Sequence, residues 1–198
     1  MTTRQAVLIL AAGHGRRMGE PKVFSVFRGQ TFLQRILSRS RESGSPVTLV
    51  LDPRFRAPVE AELRRESAQP LTIVEADGHE AMIASVKAGL RSGNCDQGFW
   101  LWPVDAPFIS RAGWARAVAE VAREPEFVRK LRVQEHTGHP IWYPAWSVPE
   151  ILAGVWHNGL RGFLADHHDR VRVLAMEREF LKDVNTREQL ALVPDHVE

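Results

Sequence analysis

The apolar run Ala6-Val7-Leu8-Ile9-Leu10 breaks off into Ala11-Ala12-Gly13-His14-Gly15-Arg16-Arg17-Met18-Gly19-Glu20-Pro21-Lys22. Five apolar residues ending in small residues and glycines read as a buried strand that delivers a cationic loop to its carboxyl end. Glycine lets the backbone turn tightly and bring its N–H groups close to an anion. Arg16, Arg17 and Lys22 add full positive charges that can hold several phosphate oxygens at once. The loop is therefore a candidate polyphosphate site, although a plain structural turn also accounts for its glycines. It is not a Walker A loop, because Lys22 stands between Pro21 and Val23. Nor does it complete a dinucleotide fingerprint, because Met18 stands where the third glycine belongs.

The rest of the chain alternates strands and helices in a way that suits such a loop. Strands are expected at Val47–Leu51, Leu71–Val74 and Phe99–Val104, the last continuously apolar as a strand buried on both faces should be. Between them, Thr31-x-x-Gln34 opens a helix with a capping box, Arg54–Ser67 is amphipathic, and Ile83, Val86 and Leu90 share a helix face. Ser110 caps a helix carrying Trp114, Val118 and Val121. This order implies a parallel sheet with right-handed crossovers. After Glu124-Pro125 the pattern changes: Phe127–Val133 and Pro140–Tyr143 are expected to pair. Short helices follow near Val148–Leu152 and Leu160–Asp166, then a strand at Val171–Leu174 and a helix at Thr186–Leu192. No repeat or linker marks a boundary, so residues 1–198 read as one domain, with about 125–182 as an extension of it. Ligands of open α/β sheets sit at the carboxyl ends of the strands, where the loops Ala11–Lys22, Glu75–Glu80 and Pro103–Phe108 should converge.

Asp105, in Pro103-Val104-Asp105-Ala106-Pro107, is a carboxylate between two prolines at a strand end. A rigid carboxylate suits a hard cation such as Mg²⁺, which takes one or two carboxylates with phosphate oxygens and waters; capping of the following helix is the alternative. Asp183-Val184-Asn185-Thr186 precedes Glu188 and Gln189, which is a helix N-cap pattern. His139 lies in Gly138-His139-Pro140, as a turn residue or as a hydrogen-bond donor to a phosphate, and Arg161 sits at a helix start where an anion is stabilised. His136-x-x-His139 and His167-His168-Asp169 have no thiolate partner and no tetrahedral set, which argues against zinc. All six tryptophans lie between Trp100 and Trp156. Trp100 and Trp102 share a core face, and some of Trp142, Trp146 and Trp156 are candidates to line a pocket for a flat ring.

A net charge of +2 gives no reason to expect a nucleic-acid surface. Cys95 is the only cysteine, so no disulfide can form within the chain, which favours a reducing compartment. No apolar run approaches membrane-span length, and the apolar residues after Arg4 are too few for a signal peptide. A cytoplasmic protein without a membrane partner is expected.

Leu10-Ala11-Ala12-Gly13 with Arg17, Met18, Gly19 and Lys22, joined to Pro103-x-Asp105-x-Pro107 and Asp183-x-Asn185-Thr186, resembles the MobA-like NTP transferases. That group includes molybdenum-cofactor cytidylyl- and guanylyltransferases. The resemblance implies a Rossmann-like three-layer α/β/α (GT-A-like) fold with a mostly parallel central sheet. It implies transfer of a nucleoside monophosphate to a phosphorylated small-molecule acceptor with release of pyrophosphate. By resemblance Arg16, Lys22 and Asp105 are catalytic, and Leu10, Ala11, Ala12, Gly13, Gly15, Arg16, Lys22 and Ser85 bind the nucleotide. Asp105 with Asp183 or Asn185 binds Mg²⁺ or Mn²⁺, and His139 and Arg161 bind the acceptor. Ala11-Ala12-Gly13 resembles the cytidylyl branch, so CTP is the favoured donor with GTP next, a molybdopterin-type cofactor the favoured acceptor, and a molybdoenzyme a further partner. Gly15 replaces a family serine, which bears on the donor. The competing readings are a sugar- or alditol-phosphate nucleotidyltransferase and a non-catalytic nucleotide-binding cofactor chaperone.

Overall fold

The computed structural model describes residues 5–13, 18–65, 71–92, 94–177 and 179–194. Its strands are β1 (Ala6–Ala11), β2 (Val26–Phe27), β3 (Gln30–Thr31), β4 (Val47–Leu51), β5 (Thr72–Glu75), β6 (Gly98–Pro103), β7 (Val128–Val133), β8 (His136–Pro144) and β9 (Val171–Ala175). Its helices are α1 (Phe32–Glu42), α2 (Arg56–Arg65), α3 (Met82–Leu90), α4 (Arg111–Arg123), α5 (Ser147–Ala153), α6 (Leu160–Asp166) and α7 (Arg187–Ala191).

A seven-stranded sheet runs β5-β4-β1-β6-β8-β7-β9. β5, β4, β1 and β6 are mutually parallel, β8 is antiparallel to both β6 and β7, and β9 is parallel to β7. β8 alone therefore runs against the rest, and the expected mostly parallel sheet is present. Alternate residues of β1 separate into two apolar layers. Val7, Ile9 and Ala11 pack with Phe32, Leu33, Val59 and Trp114 of α1, α2 and α4. Ala6, Leu8 and Leu10 pack with Val86, Ile151 and Phe163 of α3, α5 and α6. Because side chains alternate across a strand, a central strand apolar at every position is covered on both faces. That makes the three-layer α/β/α architecture.

Local signals account for several helix ends. The α1 capping box is complete: Thr31 Oγ1 accepts from Gln34 N at 3.1 Å, and Thr31 N donates to Gln34 Oε1 at 2.7 Å. Ser110 Oγ accepts from Gly113 N at the start of α4. Two features depart from the sequence reading. The expected Arg54–Ser67 helix is divided into a 3-10 turn at Pro53–Phe55 and α2, since the Asp52 carboxylate accepts from Arg54 N and caps that turn; residues 66–70 lie outside the described set. The β2–β3 hairpin was not anticipated. Its two loop residues, Arg28 (φ 51°) and Gly29 (φ 79°), hold left-handed conformations, which a two-residue hairpin requires. Among the described residues no helix is long and apolar enough to cross a membrane.

Candidate functional site

Parallel β1, β4, β5 and β6 end on the same side of the sheet, and the loops leaving them zip together there. Val104 N donates to Leu10 O at 2.9 Å, and Ala76 N to Leu51 O at 2.8 Å. Leu10, Ala12, Gly13, Lys22, Gly78, Glu80, Ser85 and Asp105 line a cavity of about 260 Å³ at this edge. The expected convergence of the three loops is therefore present. Ala11 points to the other face of β1 and is buried in the α1 layer, so its side chain does not line the cavity. Gly15 and Arg16 lie outside the described residues.

Lys22 is oriented by its neighbours. Pro21 enters a 3-10 turn over Lys22–Phe24, and buried Val23 anchors that turn in the core. The side chain is 14% exposed, and its ammonium donates to Asp105 Oδ2 at 2.7 Å and to Asn185 Oδ1 at 2.6 Å. Asp105 follows β6 in a turn closed by Ala106 N to Pro103 O, and the buried Trp102 indole donates to Ala106 O. Helix capping does not explain Asp105, because Ser110 caps α4 with its own N–H and hydroxyl bound to the Glu179 carboxylate. The same holds at the chain's end. Thr186 caps α7 by accepting from Gln189 N, which leaves the Asn185 amide oxygen for Lys22. Val184 N donates to Asp105 O at 2.8 Å and brings this C-terminal segment to the strand end.

Asp183 faces another way. Its Oδ1 lies 3.7 Å from His139 Nδ1. Contact with His139 is the main influence holding its carboxyl below the usual range, with the charges of Lys22 and His136 adding to it against partial burial. A carboxylate with a depressed pKa contributes stability above its unfolded value of about 3.9 and loses it as pH falls further. Replacement of His139 by alanine is expected to move the Asp183 midpoint, read by carboxyl NMR, upward toward about 3.9; an unmoved midpoint removes His139 as the cause.

A second cavity, about 660 Å³, opens beside the first and shares Met82, Pro103 and Asp105 with it. His139, Arg161 and Asp183 line it, so the two expected acceptor residues fall in one place. Lys130, His157 and Tyr143 also line it without having been singled out from sequence, and His136, considered only for zinc, joins them; spread over β7, β8 and the segment before α6, they form no local pattern. Of the three tryptophans considered for a ring pocket, Trp156 is among the lining residues. Trp142 is fully buried against Trp100, and Trp146 stacks on Phe163 while donating to Glu126 O. Both spend their area on packing.

Among the described residues no three His, Cys, Asp or Glu side chains cluster as a metal cage. The donor set is nevertheless suited to a hard divalent ion. Asp105 and Asn185 aim two oxygens at one cationic centre, the Lys22 ammonium. Mg²⁺ needs only one or two carboxylates when phosphate oxygens and waters complete its shell.

The model of the MobA-like NTP transferase domain matches residues 7–171 of this chain. A bifunctional protein GlmU from Bifidobacterium longum subsp. infantis is 40% identical over 110 residues, covering 52% of this chain and 24% of the relative. A probable molybdenum cofactor guanylyltransferase from Bacillus cereus is 23% identical over 126 residues, covering 64% of this chain and 61% of the relative. The chain thus spans about a quarter of the one and under two thirds of the other. The manganese complex of Rv0371C from Mycobacterium tuberculosis superposes with a TM-score of 0.75 at 22% identity, covering 98% of this chain and all of that one.

Proposed function

The chain belongs to the MobA-like NTP transferase family, and from that premise we propose that it transfers a nucleoside monophosphate from a triphosphate to a phosphorylated small molecule, releasing pyrophosphate. The observation that carries the reading is the meeting of two cavities at Asp105, the smaller holding the glycine-loop residues and the larger His139 and Arg161. A donor in one and an acceptor in the other place the acceptor phosphate oxygen against the α-phosphorus. Such positioning removes much of the entropic cost of a bimolecular displacement. Residues of about 125–182 then serve as the acceptor-binding part of the molecule.

Lys22 turns its ammonium from Asp105 and Asn185 toward the phosphate oxygens of the donor and offsets the charge that grows there in the transition state. The backbone N–H groups around Ala12 and Gly13, with Arg16, cradle the terminal phosphates. Arg161, exposed at the start of α6, orients the acceptor's phosphate with His139, and Asp183 holds His139. An ionised phosphate needs no general base. Asp105 and Asn185 would hold a divalent ion, Mg²⁺ or Mn²⁺, which supplies charge neutralisation on phosphate oxygens. CTP is the favoured donor with GTP next, and a molybdopterin-type compound the favoured acceptor. The guanylyltransferase relative bears on that acceptor.

The reading is tested by pyrophosphate release from each of the four nucleoside triphosphates with Mg²⁺ and a pterin phosphate, a hexose 1-phosphate or an alditol phosphate. Release with the pterin phosphate is expected. Release only with a sugar or alditol phosphate replaces the acceptor. Tight CTP or GTP binding without release for any acceptor leaves a nucleotide-binding chaperone instead.

A further inference from the structure

Tyr143 is 1% exposed and lies in the wall of the larger cavity. Its ring is stacked on Phe99 at a centroid distance of 5.2 Å and an interplanar angle of 12°, and it also meets Phe163 at 6.0 Å. Those contacts are what a phenylalanine would make. The hydroxyl has no part in them, and among the described residues no hydrogen bond engages it. A tyrosine this buried ordinarily finds a protein partner for its O–H; here the residue lines the cavity, and its hydroxyl is left to whatever fills it. Burial also pushes the phenol's pKa well above its usual value, so the group stays a neutral donor.

The surroundings of that hydroxyl describe what would complete it. Leu101, Ile141 and Leu160 are buried in the same wall, with the Trp156 ring beside them. Of the titratable lining residues, His136, His157, Arg161 and Asp183 are exposed, at the rim, while Asp105, Lys130 and His139 are half-buried. Phosphate belongs at that rim. A body that enters past it meets the apolar patch of Leu101, Ile141 and Leu160 with the Tyr143 hydroxyl as a donor, while Lys130 and Thr137 lie elsewhere in the lining. A polyol would set several hydroxyls against the carbon of Leu101, Ile141 and Leu160 there, which is costly where they find no partner. A flat heterocycle lays its face on the apolar patch and offers an edge acceptor to the phenol, with its other edge groups toward the polar part of the lining.

We propose that Tyr143 is a specificity-determining residue of the acceptor site, its hydroxyl donating a hydrogen bond to a ring nitrogen or carbonyl at the end of a phosphorylated heterocycle away from the phosphate. The proposal rests on the assignment of the larger cavity to the acceptor. It favours heterocyclic phosphates over sugar and alditol phosphates through one side chain on β8.

The test is Tyr143→Phe, which keeps the ring and its stacking on Phe99 and removes a single oxygen. Dissociation constants are measured by calorimetry for a pterin phosphate, for glycerol 3-phosphate and for CTP and GTP. The variant is expected to bind the pterin phosphate about fivefold to tenfold more weakly, in line with loss of one hydrogen bond. Binding of glycerol 3-phosphate, too short to pass the rim, and of the nucleotides stays as in the wild type. Unchanged pterin phosphate binding overturns the proposal. So does equal weakening of every ligand, which would mark a merely structural role, and so does a wild-type protein that binds no pterin phosphate. If the expected pattern holds but neither nucleotide yields pyrophosphate, the transfer reading fails while the role of Tyr143 stands.

Discussion

Replacement of Asp105 by alanine is expected to lower the rate of pyrophosphate release by roughly a thousandfold, the scale seen when one preorganised electrostatic group is removed from an active site. The carboxylate sits where the two cavities meet, 24% exposed and 2.7 Å from the Lys22 ammonium. Its backbone carbonyl, not its side chain, accepts from Val184 N, and Ser110 caps α4. The substitution therefore leaves the joins on either side of Asp105 intact, and circular dichroism should match the wild type. Triphosphate binding measured in EDTA should survive and even tighten slightly, since a negative charge facing the phosphates is gone. Wild-type rates in the variant would remove Asp105 from the mechanism.

The second large effect is expected at Lys22, and it has two parts of opposite sign. Lys22→Ala deprives the triphosphate of a cation, so turnover should fall by about a hundredfold or more and the KM for the nucleotide should rise. The same change removes the ammonium that engages both the Asp105 and the Asn185 oxygens. Without that competitor, Mn²⁺ binding to the nucleotide-free protein should tighten about tenfold, the equivalent of ~1.4 kcal/mol, as read by electron paramagnetic resonance of free Mn²⁺. A general loss of folding would weaken both. If Mn²⁺ binding is unchanged while activity falls, Lys22 acts on phosphate alone and Asp105 and Asn185 are not its shared acceptors with a metal.

Much of this molecule is legible along the chain because the rules involved have short range. Five apolar residues before Ala11 announce a central strand, and the two-residue period of a strand then assigns Val7 and Ile9 to one layer and Leu8 and Leu10 to the other. Thr31, Ser110 and Thr186 announce helix starts, because a cap acts on an N–H two or three residues away. The β2–β3 hairpin leaves no such signal, since two-residue strands carry too little pattern. Trp142 and Trp146 differ from Trp156 only in what lies opposite them.

The amino-acid sequence by itself determined the alternation of strands and helices and the loop that offers phosphate-binding groups. It also placed the carboxylates and amides that could serve beside that loop. Only the tertiary structure decided their partners. Lys22 meets Asp105 across 83 positions and Asn185 across 163, while Asp183, two residues before Asn185, faces His139 instead. The physical reason is that a side chain's direction follows from backbone turns a few residues long, whereas its neighbours follow from strand order. Inserting antiparallel β8 beside β6 put His139 and Tyr143 in the wall of the cavity next to Asp105, and no spacing within the chain encodes that.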